Sequence, residues 1–434
     1  MTDPLLESAD SAPDSPNYLR AVTDLAARRA VVTQDAIYSD NGIKLVDKGA
    51  RIDSRLYDRL VQHKLREPID RHLSVENAVD AATLVTSAQH LLETSGLIRL
   101  MAQSLSAPER MLAPLRHMPL VGPITFKLTL MREQRPDLFE HSLQMVLVSM
   151  FLGIKSGMSE RECVPLVAAA LLHDMGVLHM APEWRDRKNK VTGAERKQLV
   201  AHPITSMLMV RDAQVYPRSV EMAVLEHHER MDGTGYPRGL NGPQISPMGR
   251  ILLLAEVVSA FFEKNTDTPG QQLSLALRLN HRKFPSELVV HVLPLLQEEH
   301  DHHQQHLPVG ERVNALAATL ADAFRQWEQA KTSAQNLQIR EGPAIFIEDR
   351  LRSLQRALIE AGAHPQYQAE QMQLSDDPEE SAEFACVISE ALWQLENIVN
   401  GCQRRWPDEL EKKKTPDAAL VAGWCEWVRL RTGA

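Results

Sequence analysis

The sequence predicts a mainly α-helical protein with a small α+β segment near its N-terminus and a helical C-terminal region. Apolar residues recur at helical spacing over most of the chain, whereas one short stretch, 36–46, has the pattern of a β-hairpin. The 434 residues, 44% of them hydrophobic, supply enough apolar surface for more than one domain with a core.

The N-terminal part is expected to hold a flexible lead-in, residues 1–16, and a small α+β attachment over 17–72. The lead-in is rich in acidic residues, Ser and Pro. In the attachment, apolar residues flank Asn41-Gly42, a dipeptide typical of two-residue hairpin turns. A short helix is expected near 54–64, where apolar residues follow helical spacing.

Three further segments follow along the chain. Residues 73–123 predict a helix and then a linker punctuated by prolines. Residues 124–330 alternate apolar helical runs with short loops and contain most of the histidines, so we place the functional domain there. Residues 340–434 predict a helical C-terminal region, with Trp393 and Trp424 among its core anchors.

Composition and charge exclude several classes of protein. A net charge of -9 argues against a protein that coats a nucleic acid polymer, because phosphate binding needs a basic face. The N-terminus lacks the basic and then apolar order of a signal peptide, and no long uninterrupted apolar run predicts a membrane span. We therefore expect a cytoplasmic protein, with monomer and homodimer both left open.

A first set of polar residues occurs on two predicted helices. Asp137 and His141 are four residues apart after Pro136, so they share one helix face. A second, almost wholly apolar helix ends in the adjacent pair His173-Asp174. Burying an ionised Asp is costly unless it is paired or bound to a cation, and a metal ion satisfies both residues of the pair.

A second set of candidate ligands follows. His202 precedes a proline that is expected to mark a helix start, and His227 and His228 stand together before a loop rich in Gly and Pro. Glu256 is the carboxylate in the middle of an apolar helix and therefore needs a partner.

The residue types indicate the kind of metal. Mixed imidazole and carboxylate ligands suit Fe, Mn or Zn, while the scattered cysteines argue against a structural zinc site built on thiolates. A shared carboxylate such as Asp174 can bridge two ions about 3.5–4 Å apart, as in metal-assisted phosphoester hydrolysis.

These residues and one continuous run resemble the HD-GYP branch of the HD-domain phosphohydrolases. The match covers about 130–300 and consists, in chain order, of His141, His173-Asp174, His202-Pro203, the run HHERMDGTGYPRGLNGPQIS from His227 to Ser246, and the RILLLA run that begins at Arg250. The resemblance implies an HD-type helical bundle that holds two or three divalent metal ions, usually iron or manganese. It also implies hydrolysis of cyclic di-GMP to pGpG or GMP.

The resemblance also assigns roles to individual positions. Catalysis would involve His173 and Asp174, and Gly235, Tyr236, Pro237 and Arg250 would shape the substrate site. The Gly-Tyr-Pro loop is in addition a surface on which a diguanylate cyclase domain could dock. The metal ligands would be Asp137, His141, His173, Asp174, His202, His227, His228 and Glu256.

The chain departs from the family pattern at several positions. Val177 replaces the Lys that helps to hold a substrate phosphate, and Ser259 replaces an acid. Asp137 stands where the family usually has Glu, and Glu256 stands where it usually has Asp. Both changes keep the negative charge and alter the length of the side chain. A basic and aromatic stretch is replaced by residues 264–268.

Three functions remain open at this point. The first is a metal-dependent cyclic di-GMP phosphodiesterase, weakened by the missing phosphate-holding groups. The second is a non-catalytic regulator of the same fold that binds the nucleotide or a diguanylate cyclase partner. The third is an HD-type phosphohydrolase that acts on a mononucleotide.

Overall fold

A computed structural model describes residues 14–181, 193–263, 269–300, 311–333, 342–360, 378–413 and 415–432. Most of the described residues are helical, and the strands are short and confined to the N-terminal part, which confirms the predicted fold class. The predicted lead-in falls almost wholly outside the described residues, and so does the stretch 264–268.

The elements are numbered in chain order. The strands are β1 (Val31–Thr33), β2 (Ile37–Tyr38), β3 (Lys44–Val46) and β4 (Leu73–Val75). The helices are α1 (Pro16–Arg28), α2 (Tyr57–Val61), α3 (Ala81–Thr94), α4 (Gly96–Gln103), α5 (Gly122–Gln134), α6 (Pro136–Lys155), α7 (Glu160–Leu172), α8 (Gly193–Asp212), α9 (Arg218–Glu226), α10 (Pro247–Glu263), α11 (Pro269–Leu279), α12 (Ser286–His300), α13 (Glu311–Ser333), α14 (Pro343–Glu360), α15 (Pro378–Arg405), α16 (Pro407–Lys412) and α17 (Pro416–Thr432).

The predicted hairpin is confirmed. Strands β2 and β3 pair antiparallel, with Ile37 opposite Val46, and Gly42 in the turn has a φ of 79° that suits glycine. A second antiparallel pair, β1 with β4, was not predicted. Each of its strands has only three residues, and the two lie far apart in sequence, so neither gives a periodic signal.

The proline-rich stretch expected as a linker is packed against the helical bundle. It forms two short 3-10 helices, Pro108–Met111 and Ala113–His117, which contact α6 and α7. Met111 and Leu115 are fully buried there. The prolines occupy the first positions of these turns, where a missing N–H costs nothing, so they are compatible with a packed segment.

Helices α6 to α10 pack on one another around an apolar core. Helix α6 contacts α7 and α10, and α9 contacts α8 and α10. Two stretches of this bundle, Pro136–Lys155 and Glu160–His179, are long and apolar enough to cross a bilayer by length and composition. However, 83% and 78% of their apolar windows are buried inside the protein, as in core helices, so they are weak evidence for a membrane span.

The expected helix start at His202-Pro203 is wrong. Helix α8 begins at Gly193 and continues through Pro203 to Asp212. A proline in a helix interior removes one backbone hydrogen bond, so the local sequence pattern indicates a boundary at this position. The side chain of His202 compensates for this loss, as described below.

The chain divides into two compact units, one comprising Met1–Asn265 and Arg282–Leu295, the other Thr266–His281 and Leu296–Ala434. The second unit has its own core, in which Trp327 and Trp424 meet edge to face with ring centroids 5.5 Å apart. Trp327 places α13 in this core, whereas the sequence pattern places that segment in the metal-binding domain. Trp393 is not a core anchor, because 47% of it is exposed.

Candidate metal centre

Most of the predicted ligands converge in the bundle as two groups. In each group the potential ligand atoms lie within 4.8 Å of one another. The first group is Asp174, His202, His227 and His228, and the second is His141, His173 and Glu256. The predicted ligands in these groups come from α6, α8, α10 and the ends of α7 and α9.

In the first group, two imidazoles face one carboxylate oxygen. Asp174 Oδ1 lies 3.0 Å from His202 Nε2 and 3.6 Å from His227 Nε2. The two Nε2 atoms are themselves 3.1 Å apart. This is a compact set of potential ligand atoms around one point.

The second group has the same character. Glu256 Oε2 lies 3.2 Å from His141 Nε2 and 3.6 Å from His173 Nε2, and those two nitrogens are 3.2 Å apart. The other oxygen of Asp174, Oδ2, lies 3.6 Å from His173 Nε2. Asp174 therefore presents one oxygen to each group.

Backbone carbonyls fix the orientation of three of the imidazoles. The Nδ1–H of His173 donates to Ala170 O at 2.8 Å, and that of His227 donates to Val224 O at 2.6 Å. His202 Nδ1 makes the same bond to Leu199 O at 2.5 Å. A carbonyl can only accept, so Nδ1 carries the proton and Nε2 of each neutral ring carries the lone pair.

These carbonyls are available for two different reasons. Ala170 and Val224 lie in the last turns of α7 and α9, where the final carbonyls of a helix have no intrahelical partner. Leu199 lies in the interior of α8, four residues before Pro203, which has no N–H to donate. The His-Pro pair thus exchanges a helix hydrogen bond for a fixed imidazole.

The arrangement brings acceptors together without donors. With Nε2 of His202, His227 and His173 unprotonated, the facing carboxylate oxygens receive no proton from these rings. Asp174 Oδ1 and Glu256 Oε2 are indeed buried and lack a hydrogen-bond partner among the described residues. Buried acceptors that face one another are costly unless a cation lies between them, so the residues fit bound metal ions.

The pKa values of the two carboxylates indicate how strongly this site attracts positive charge, which the imidazoles supply when they are protonated and which a bound cation would supply when they are neutral. Burial raises the pKa of Asp174. The electrostatic effect of His173 and His202 lowers it by more, so the net pKa lies well below the usual value. Glu256 behaves likewise, burial being outweighed by His141, so its pKa also lies well below the usual value. Burial lowers the pKa of His228 well below its usual value. Anionic carboxylates and a neutral imidazole are the protonation states that bind metals.

Asp137 and Arg250 lie outside both groups. Asp137 is exposed in the first turn of α6. Arg250 donates to the carbonyl oxygens of Gly242 and Ile245, at 2.9 and 3.2 Å, and pairs with Glu287. The observed contacts give Arg250 a role in fixing the end of the loop.

The Gly-Tyr-Pro loop packs directly on a ligand. The ring of Tyr236 stacks on His228 with centroids 4.7 Å apart, and its N–H donates to His228 O. A Cβ on Gly235 would lie 2.3 Å from Glu229 Cα, so only glycine allows this approach. Pro237 follows Tyr236 through a cis peptide bond.

Sequence reasoning missed the carboxylates that hold this loop. Glu229, fully buried, accepts the backbone N–H groups of Arg238 and Leu240 at 2.8 and 2.9 Å. Glu226 accepts the guanidinium of Arg238 at 2.7 Å. Both flank the His-His pair in the sequence, and buried acids in that run were the available signal.

The residues after Asp174 are packed tightly. Val177 is fully buried. Gly176 donates its N–H to Ser206 Oγ at 2.8 Å, and a Cβ there would lie 2.5 Å from His202 O. The short turn Met175–His179 thus lies against α8, and Val177 points into the core rather than into solvent.

The geometry defines a helical protein with a histidine and carboxylate metal-binding site. The model of the HD domain family matches residues 129–283, so the chain contains an HD domain, as its resemblance to that family indicated. Both ligand groups lie inside the matched region.

Several known proteins are similar to part of this chain. The 3'3'-cGAMP-specific phosphodiesterase 3 of Vibrio cholerae is 30% identical over 139 residues, 32% of this chain and 30% of that protein. The cyclic di-GMP phosphodiesterase PdeB of Borreliella burgdorferi is 32% identical over 120 residues, 28% of this chain and 31% of that protein. The chain thus spans about a third of the length of these relatives.

One solved structure was also matched. Bd1817, an HDG"Y"P protein from Bdellovibrio bacteriovorus, aligns with a TM-score of 0.35 and 16% identity, over 63% of this chain and 98% of that one.

Proposed function

We propose that the protein is a metal-dependent phosphodiesterase that hydrolyses cyclic di-GMP to pGpG or GMP. The observation that carries the proposal is the convergence of unprotonated Nε2 atoms on carboxylate oxygens in two adjacent groups. Relatives named as cyclic dinucleotide phosphodiesterases, which match about 30% of this chain, support the substrate class.

The chain's own residues would hold and orient the metal ions. His202, His227 and His228 would bind one ion and His141, His173 and Glu256 a second, with Asp174 shared between them. Bound iron or manganese ions would neutralise the substrate phosphate and supply a hydroxide nucleophile at neutral pH. The ring of Tyr236, stacked on His228, offers a flat surface beside the first group.

A second candidate function has its own observation. Val177, in the place of a phosphate-holding Lys, is fully buried and offers no contact to a phosphate. A regulator that binds the nucleotide without turnover, or that docks a diguanylate cyclase domain through the Gly-Tyr-Pro loop, would tolerate this loss.

The test measures metal content and hydrolysis on the same preparation. Wild type and Asp174→Ala are loaded with Mn²⁺ or Fe²⁺ and incubated with cyclic di-GMP and with 3'3'-cGAMP. We expect pGpG or GMP from cyclic di-GMP with wild type and no product with Asp174→Ala. Metal-loaded wild type that binds cyclic di-GMP at saturation without turnover would replace the enzyme by the regulator. Turnover of 3'3'-cGAMP alone would correct the substrate.

A further inference from the structure

His141 differs from the other oriented imidazoles in its position along a helix. His173 and His227 follow the last residues of their helices, and His202 lies beside the helix-interior proline. His141 lies in the second turn of α6, a continuous helix of 20 residues. No backbone carbonyl is left over by the helix at this point.

The carbonyl that His141 would use is already taken. The equivalent of the bonds made by His173, His202 and His227 would run to the carbonyl three residues earlier, that of Leu138. This oxygen accepts the backbone N–H of Ser142 in the helix and also the Ser142 hydroxyl at 3.0 Å. His141 Nδ1 therefore needs an acceptor from another element.

Glu263, at the end of α10, supplies that acceptor. Its Oε1 contacts His141 Nδ1, while Glu256 Oε2 faces the opposite ring nitrogen at 3.2 Å. The two acids are two helical turns apart on α10, on the same face, and they bracket the ring. The side chain of His141 is 4% exposed and that of Glu263 32%, so the contact approaches from the rim of the site.

We propose that Glu263 is a positioning residue for metal binding, which holds the Nδ1–H of His141 so that Nε2 points at His173 and Glu256. A carboxylate that accepts a hydrogen bond from a ligating imidazole fixes both its tautomer and its orientation. The inference rests on the metal-binding part of the proposed function. It concerns the second ligand group alone. In the first group, His202 and His227 are oriented by hydrogen bonds to backbone carbonyls.

The test compares Mn²⁺ binding by three variants with wild type. Glu263→Ala removes the acceptor, Glu263→Gln keeps an oxygen that can accept the same N–H, and Glu140→Ala is the matched control. Glu140 is an exposed acid next to His141 in the sequence, so its loss changes the net charge equally. Mn²⁺ retention against a graded chelator gives the affinity, and electron paramagnetic resonance distinguishes coupled pairs of ions from single ions.

We expect Glu263→Ala to lower the affinity for one of two Mn²⁺ ions by about 10–100-fold, which is the usual effect of losing a residue that hydrogen-bonds to a metal ligand. The spectrum should change from coupled pairs to single ions, since the first ligand group stays intact. Glu263→Gln and Glu140→Ala should resemble wild type. Thermal unfolding of metal-free samples verifies the fold, and Glu263→Met serves as a second variant without the acceptor.

Two results would overturn the proposal. The first is wild-type affinity and coupling in Glu263→Ala and Glu263→Met. The second is an equal loss in Glu263→Gln, which would show that charge and not the hydrogen bond matters. Wild type that binds no Mn²⁺ would overturn this inference and the proposed function together. Wild type that binds Mn²⁺ without hydrolysing a cyclic dinucleotide would contradict only the enzyme, and the variants would still decide the role of Glu263.

Discussion

Two glutamates of similar burial in different units show how neighbours decide the role of a carboxylate. The side chain of Glu256 is 15% exposed and that of Glu348 is 14% exposed. Glu348 accepts hydrogen bonds from Trp327 Nε1, Lys331 Nζ and Arg352 Nη2 at 2.6–2.8 Å. Its charge is therefore compensated by the protein itself.

Glu256 lies instead beside two imidazole nitrogens, and such a nitrogen carries a lone pair when its ring is neutral and protonated at the other nitrogen. Its Oε2 faces two imidazole nitrogens at 3.2 and 3.6 Å and has no hydrogen-bond partner among the described residues. A carboxylate surrounded by donors anchors a structure, whereas one surrounded by acceptors is a ligand that needs a cation. The first prediction below tests this contrast directly, and the next two extend it to a buried cation and to a structural histidine.

The largest effect is expected from the same substitution at both sites. Glu256→Gln should lower metal affinity by more than the roughly 10–100-fold that loss of an outer partner costs, with little loss of metal-free stability. Glu348→Gln should leave metal binding unchanged and lower the free energy of unfolding by about 1–2 kcal/mol. Metal titration and urea unfolding of both variants check this crossed pattern. Metal loss of similar size in both would remove the contrast.

The next prediction concerns a positive charge introduced by the substitution Val177→Lys. Val177→Lys should destabilise the protein by roughly 3 kcal/mol or more, because Val177 is fully buried and an unpaired ammonium there loses its hydration. Val177→Met is the matched control for added length without charge. Thermal unfolding with and without Mn²⁺ measures the effect. If Val177→Lys is as stable as Val177→Met and binds cyclic di-GMP more tightly than wild type, the ammonium has reached the site.

The smallest effect separates ligand histidines from a structural one. His179 stacks on Tyr18 with centroids 4.5 Å apart, and burial, together with Lys127, lowers its pKa to about 3. The neutral ring is favoured in the folded state, so stability is full above pH of about 6.5 and falls as the pH drops toward 3. The loss of stability from this group amounts to about 2 kcal/mol at pH 5.

His179→Phe keeps the stacked ring and removes the titration. The difference in unfolding free energy between pH 8 and pH 5 should therefore be about 2 kcal/mol smaller in the variant than in wild type. Urea unfolding at both values measures it, and the metal-ligating histidines cancel because both proteins contain them. An equal acid loss in the two proteins would mean that His179 is already charged in the fold.

The sequence was sufficient for residues whose chemistry conflicts with their local surroundings. His173-Asp174 ends an apolar helix and Glu256 interrupts another, so each needed a partner, and the structure brings these residues close together. Glu263 gave no such signal, since an acid at the end of a helix is ordinary and its partner His141 is 122 residues away. Contacts of that separation depend on how helices pack, which single-sequence periodicity does not encode.

The error at His202-Pro203 has the same origin. Local rules interpret a proline as a boundary, whereas in the folded chain the side chain of His202 takes the carbonyl that Pro203 leaves unpaired. The strand pair β1 with β4 was missed for lack of length, and Trp393 was placed in the core on composition alone. Each of these features is set by tertiary neighbours.

The contact that Pro203 allows should also influence how quickly a metal ion is captured. An imidazole held by its Nδ1–H has already given up its rotamer freedom during folding, so little side-chain entropy remains to be lost when an ion arrives. With His173 and His227 held in the same way, much of the ordering cost of the site is met while the helices form. The rate of metal uptake should then follow the arrival and dehydration of the ion rather than a search among side-chain conformations.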